Sequence, residues 1–397
     1  MPGLSREVRS YRLDRMRSLM RDHHCDALAF TSADWFEWAG NHAISVLPWE
    51  RPFLLVVTSD GRTLALLPEL SRNALEAERR RGTLWLDSVA FYAESPDATR
   101  HQWIATHWRE MVIDALGSFG LSRARIGADA LHDWLRSAAD AFAAVTLIKL
   151  GDPLRSLRWI KHPEEIATMR RCASLSDWAV DVYRQQLEPG RLLAEVDFVV
   201  SARLAVEAAR RHPGENFLIG RLATHSGPAS ACPHGDGASN GKVLERDAIA
   251  VTTLATRLNG LAMELARPWL VGSPGAQTIR LLDCVRAAHE AAIDAAVAGR
   301  AVAGMHKAAQ DVLDREGLGT QLRLRAGHAI GVAMHDFPEN VPFDSRPLLE
   351  SETYVVEPAI YPPDLGAFRF ADAIVIRNTA PELLTRAPKD RAAQSLH

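Results

Sequence analysis

A chain of 397 residues is long enough for two domains, each with its own core. Its 46 lysines and arginines and 49 aspartates and glutamates are interspersed, with no long basic run, and leave a net charge of −3, so nothing points to nucleic acid as the main partner. Cys25, Cys172, Cys232 and Cys284 form no C-x-x-C pair and read as reduced thiols; with no apolar leader at 1–17 and no apolar run of about 18 residues, a soluble, cytoplasmic protein that does not engage a membrane is expected.

Leu13, Met16 and Met20 recur at helical spacing, and residues 27–30 read as a short buried strand. Apolar runs at 53–57 and 63–67 flank Asp60-Gly61, a hairpin signal. Helix-like stretches at 71–81, 101–116 and 131–142, with strand-like pieces at 83–86 and 125–126, predict an α/β domain ending near Asp152-Pro153. Trp35, Trp38 and Trp49 with Arg51 read as an aromatic-rich loop of that domain.

A second domain opens at Lys161-His162-Pro163, where Pro163 suits a first helical turn and Glu164-Glu165 complement the helix dipole. That helix should reach about residue 187 and stop before Pro189-Gly190. A second helix follows at 194–211, then a Gly-rich loop, then a hairpin of 248–255 and 261–267 turning near Asn259-Gly260. Helices at 277–298 and 302–316 precede closing strands that carry His328, His335, Glu357 and Asp372. Domains of 1–156 and 157–397 follow, the second repeating helices and hairpin twice.

The segment from Gly327 to Pro338 holds His328 and His335. Their spacing does not fit one helix face, where residues three or four apart meet, and fits an irregular or strand-like segment turning both rings to one cavity. Period-two alternation puts Ala262, Glu264 and Ala266 on one strand face. Glu264 then either pairs with a base such as Arg267 or faces a cavity, since a buried unpaired charge is too costly to be incidental. Glu357 is also in strand context, and two carboxylates that converge repel unless a cation joins them. Cys232 and His234, two apart, are geometrically able to pair, but with no activating group Cys232 reads as a packing thiol. Gly235-Asp236-Gly237 lacks the strand-to-helix setting of a dinucleotide site.

Five blocks in order resemble the pita-bread family of methionine aminopeptidases, aminopeptidase P, prolidases and creatinase. They are Arg158 to Ile166, Ser226-Gly227-Pro228 with Pro233-His234, Asn259 to Arg267, Gly327 to Pro338, and Val356 to Tyr361. The resemblance implies an N-terminal creatinase-type α/β domain followed by a pita-bread domain with a pseudo-repeat of helices and antiparallel strands. It also implies a substrate-binding role for His234. Metal-dependent members hold two ions with two Asp, one His and two Glu. Here Thr253 stands for the first Asp, Glu264 for the second and Ala371 for the bridging Glu, while His328 and Glu357 match.

Three altered ligands argue against a dinuclear centre, which needs several carboxylates around two ions about 3.5–4 Å apart. The resulting expectation is a creatinase-like hydrolase without metal or other cofactor, cleaving a C–N bond of a small amidine, guanidino or amide metabolite. In it a cationic substrate group sits between Glu264 and Glu357, His234 moves the proton, and His328 and His335 bind a carboxylate or polarise a carbonyl. Arg369, Asp372 and Arg267 orient these groups or form buried ion pairs. The family resemblance also suggests a homodimer whose first domain brings Trp49 and Arg51 to the partner's site, against simple packing of these side chains in their own domain. Three alternatives stay open: a dipeptidase or aminopeptidase for Xaa-Pro substrates with one divalent ion on Glu264, His328 and Glu357; a lyase acting on a small zwitterion; and a non-catalytic peptide-binding module.

Overall fold

The computed structural model describes residues 3–92, 104–236, 241–338 and 341–396. The chain divides into two compact units, Met1–Leu157 and Arg158–His397. Among the described residues no helix is long and apolar enough to cross a membrane.

The first unit is built on six strands: β1 (Ala27–Phe30), β2 (Leu54–Thr58), β3 (Thr63–Pro68), β4 (Ser88–Tyr92), β5 (Arg125–Ala128) and β6 (Thr146–Lys149), in the order β4-β3-β2-β1-β5-β6. β2 pairs antiparallel with β1 and β3, and the outer pairings are parallel. Ala29, Val56, Leu66 and Ile126 of the sheet pack with Trp108, Val112 and Leu116 of the helix Ile104–Ser118. Residues 101–103 of the helix expected there lie outside the described residues.

Two expectations for this unit need correction. Trp35 and Trp38 lie on a helix, Ala33–Gly40, that was read as loop; both are buried, and Trp35 stacks on Phe30 with ring centroids 5.7 Å apart. Only eight residues long, with five of them buried, this helix offers just Asp34 and Glu37 as a polar side, too short a stretch for a 3.6-residue alternation to show. The strand expected at 83–86 lies instead at β4. Leu84, Trp85 and Leu86 are buried without a strand, and the β-branched and aromatic run that follows them pairs with β3.

In the second unit, α1 (Pro163–Gln186) begins with a reciprocal cap. The His162 imidazole accepts from the Glu164 N–H at 3.2 Å, and the Glu165 carboxylate accepts from the His162 N–H at 2.7 Å. With α2 (Leu193–Arg211) it covers one face of a four-stranded sheet, in which β16 (Ser395–Leu396), β9 (Leu261–Val271), β8 (Ala248–Leu258) and β7 (Phe217–Ser226) are neighbours in that order. β8 and β9 are longer than expected and turn at Asn259 and Gly260, with φ of 49° and 80°. Those left-handed values are what a two-residue hairpin turn demands, and Asn-Gly supplies them at low cost.

The helices α3 (Ala276–Ala295) and α4 (Ala303–Arg315) pack with a second sheet, ordered β10 (Gly327–Ala329), β11 (Thr353–Val356), β14 (Asp372–Val375) and β15 (Glu382–Leu383). A short ladder of β12 (Ala359–Ile360) and β13 (Phe368–Arg369) lies between. The unit thus repeats a helix pair and a sheet. The repeats meet where Ala266 and Ala371 exchange backbone hydrogen bonds of 3.2 and 3.1 Å and the Ala262 N–H donates to Gly331 at 2.7 Å.

Candidate active site

Strand register places the first carboxylate. Arg221, Ala255 and Glu264 occupy one column across β7, β8 and β9, and Ala223, Thr253 and Ala266 the next. Opposed residues share a face, and Leu222, Leu254 and Leu265 point the other way into the core beneath α1 and α2. Glu264 therefore stands on the face away from those helices, 6% exposed, between small neighbours. Ala371 extends the second column through its bridge to Ala266. The two positions where the family resemblance expects an Asp and a bridging Glu, Thr253 and Ala371, thus share one column that carries no charge.

His328 comes from β10 and is fully buried. Gly327 before it is obligatory: a Cβ there would lie 2.2 Å from the Val355 carbonyl oxygen. His335 is not on a strand, contrary to expectation. It lies in the irregular segment after β10, yet its ring stacks on His328 with centroids 4.0 Å apart and planes 22° from parallel. Asp336 beside it is buried against Arg158 at 3.0 Å, which ties this segment to the start of the unit. Glu357 immediately follows β11.

These groups form one cluster. His328 Nε2 is 3.5 Å from Glu264 Oε2 and 3.5 Å from Glu357 Oε1, while Arg369 Nη2 lies 2.9 Å from Glu264 Oε1 and 3.5 Å from Glu357 Oε2. His328 Nδ1 is 3.0 Å from the Ala329 carbonyl, which only accepts, so Nδ1 carries a proton and the neutral ring has its lone pair on Nε2. That nitrogen is buried without a hydrogen bond and faces two carboxylate oxygens. Burial disfavours the charged imidazole, but Glu264 and Glu357 prevail and raise its pKa. Burial likewise works to raise Glu264, yet His328 and Arg369 hold it down to about 2. The cluster is short of one positive charge at Nε2, and a proton or a cation can supply it.

A metal ion fits that demand. Glu264, His328 and His335 offer ligand atoms all within 4.8 Å of one another. His335 joins this set, while Glu357, which the sequence suggested as a ligand, lies 3.5 Å from His328 Nε2. Arg325 Nη2, a donor only, lies 2.7 Å from His335 Nδ1, so the neutral His335 ring carries its proton on Nε2 and must release it before binding an ion. His328 is thus the histidine whose tautomer suits a ligand, because its second nitrogen donates to a carbonyl.

The remaining expected residues are placed elsewhere. Asp372 and Arg267 form a buried pair of 2.7 Å, so Arg267 does not serve Glu264, and Arg369 does. His234 is exposed, with Nδ1 3.0 Å from Arg221 Nη1, at a cavity of about 530 Å³ lined also by Asp197, His225 and Lys242. Cys232 is exposed as well, and no contact supports a Cys232–His234 pair. Trp49, 81% exposed, and Arg51, 2.7 Å from Glu50, belong to the first unit. Sequence reasoning missed Arg221 and Arg325. Each touches a predicted histidine through pairing or a loop that no local pattern announces.

The model of metallopeptidase family M24 matches residues 167–378, and that of the creatinase/prolidase N-terminal domain matches 12–160. The chain belongs to metallopeptidase family M24. It carries the two-domain, pita-bread architecture of that family and is a hydrolase acting on C–N bonds. An M24 relative, the Xaa-Pro dipeptidase of Pyrococcus furiosus, is 27% identical over 242 residues, 61% of this chain and 67% of that protein. The Xaa-Pro dipeptidase of Lactobacillus helveticus is 23% identical over 382 residues, 95% and 97% of the two chains. The crystal structure of dipeptidase PepE from Mycobacterium ulcerans superposes with a TM-score of 0.79 at 22% identity, covering 99% of each chain. The expectation of a site that uses no metal is overturned, since the M24 family is one of metallopeptidases and the cluster around Glu264, His328 and His335 has the ligand spacing of an ion site.

Proposed function

We propose that the protein is a dipeptidase that cleaves the bond before proline in Xaa-Pro dipeptides with one divalent ion per chain, and not an enzyme of amidine or guanidino metabolites. The observation that carries this reading is the bare Nε2 of His328, buried between two carboxylates. The uncharged Thr253–Ala371 column supports one ion over two, and the names of the curated relatives support the substrate.

Glu264 and His328 would hold the ion, with His335 and Glu357 on either side. A divalent cation supplies Lewis-acid polarisation of the scissile carbonyl. The Ala329 carbonyl keeps His328 in the tautomer that leaves Nε2 available. His335, with Nδ1 accepting from Arg325, presents Nε2–H to orient a substrate oxygen. In the same way Arg221, donating to Nδ1 of His234, leaves the proton of that ring on Nε2, where it can pass to the leaving prolyl nitrogen. In this reading the active form is a homodimer, and the exposure of Trp49 supports a role at the partner's site.

The test pairs metal analysis with substrate comparison. The chelated protein should lose Xaa-Pro dipeptide hydrolysis, and Mn²⁺, Zn²⁺ or Co²⁺ should restore it at one ion per chain. Full activity after chelation, or turnover of a guanidino acid but of no Xaa-Pro dipeptide, would reject the reading.

A further inference from the structure

The two carboxylates of the cluster are divided between two partners, oxygen by oxygen. Glu264 Oε2 and Glu357 Oε1 face His328 Nε2, each at 3.5 Å. Their other oxygens, Glu264 Oε1 and Glu357 Oε2, face the Arg369 guanidinium at 2.9 and 3.5 Å. Arg369 is largely buried, 12% exposed. Ala371, two residues on in extended backbone, projects to the same side and is fully buried. A buried methyl there adds no acid, and among the described residues the carboxylates paired with the guanidinium are Glu264 and Glu357.

We infer that Arg369 serves as the second cation of this site: the guanidinium holds the outer oxygens of Glu264 and Glu357 while a single divalent ion takes the inner side with His328. Carboxylates that bridge two cations usually do so between two metals. Here one of the two is covalently part of the chain: two carboxylates, one guanidinium and one divalent ion sum to +1, whereas a second divalent ion would raise this to +3 where Thr253 and Ala371 supply no ligand. A guanidinium is a fixed positive charge with planar donors suited to carboxylates, and it is not lost to a chelator. Tyr361 lies beside Arg369, and its burial, with Glu357 near, favours the neutral phenol, so no further negative charge is added.

The inference rests on the single-ion reading, and its test separates the two. Purified full-length protein is titrated with Mn²⁺ by calorimetry and its bound metal counted. Wild type should bind one ion. Arg369→Met removes a repelling charge and frees both carboxylates, so it should bind Mn²⁺ at least about tenfold more tightly or admit a second ion, whereas Arg369→Lys, which keeps the charge, should stay within about threefold of wild type. Should Arg369→Met bind one ion no more tightly than wild type, Arg369 only orients the carboxylates and the inference fails while the single-ion reading stands. Two ions, or none, in wild type would overturn both. If the apo variant is too unstable to titrate, the rise in melting temperature on adding Mn²⁺ replaces affinity as the readout. A rise larger than that of wild type supports the inference, and an equal or smaller one rejects it.

Discussion

Two buried clusters of charge grow from the same short run, Arg369 to Asp372, and they differ in how completely they are closed. Asp372 accepts from Arg267 at 2.7 Å, Thr385 at 2.7 Å and Lys389 at 3.1 Å, and Arg267 spends its other donors on the carbonyls of Ala266, Ala371 and Ala387. Around Glu264 and Glu357, by contrast, three of the four contacts to His328 and Arg369 are 3.5 Å long, and His328 Nε2 has no hydrogen bond. A closed cluster holds a fold together; one left short of a positive charge is suited to take one up. Burial and residue type are alike in the two, and His289 beside Asp372 also keeps both ring nitrogens without a hydrogen bond, so what separates them is how fully the carboxylates and their arginine partner are satisfied.

Breaking the closed cluster should have the largest effect on stability. Asp372→Ala leaves Arg267 buried without its carboxylate and should cost about 3–5 kcal/mol by denaturant unfolding, with any folded remainder keeping normal metal content. An Asp372 variant of wild-type stability that lost its metal would invert the assignment. At the open cluster, His328→Ala should lower kcat/KM for an Xaa-Pro dipeptide by about 10²–10³-fold and deplete bound metal while changing the melting temperature less than Asp372→Ala does. Equal turnover in wild type and variant would remove His328 from the site.

Acid sharpens the contrast further. His289, fully buried 3.4 Å from Asp372, is pushed down by burial to a pKa of about 3, with Asp372 opposing and Lys389 and Arg267 assisting. The unfolded chain takes up this proton near pH 6.5 and the folded chain does not. Stability should therefore be complete above pH 6.5 and fall toward pH 3, by up to about 1.4 kcal/mol per pH unit from this group. Asp372, whose own pKa is lowered, adds to the loss only at more acid pH. Replacing His289 by Asn should flatten the slope between pH 6.5 and 4; an unchanged slope in urea unfolding at several pH values would assign it to other groups. The smallest effect expected is at the hairpin, where Asn259→Ala should cost about 1 kcal/mol because its φ is positive, and Asn259→Gly clearly less.

What could be read from the sequence was local. Asn259-Gly260 announces its hairpin and Pro163-Glu164-Glu165 its helix start because the signal lies in the residues that adopt the conformation. Glu264, His328 and Glu357 were legible through spacing and family likeness. The Ala33–Gly40 helix was not, since eight residues with only Asp34 and Glu37 as a polar side are too few to show amphipathic periodicity. The choice of Arg369 over Arg267 as the partner of Glu264 was not legible either. Arg267 lies three residues from Glu264 and Arg369 lies 105 away, so proximity in sequence favours the wrong arginine, and only the Ala266–Ala371 bridge and the fold of 384–389 around Arg267 decide between them. The metal was misjudged because absent ligands were counted by position, while His335, off any regular element, fell outside the count.

Glu264 is supplied by the first helix-and-sheet repeat, and His328 and Glu357 by the second. Neither half owns a complete set of ligand atoms. An ion held there would act as a clasp across the seam, adding its binding free energy to the docking of the halves and not to the folding of either. Opening of that seam, followed by hydrogen exchange of the Ala262, Ala266 and Ala371 amides, would then become a measure of whether the clasp is fastened.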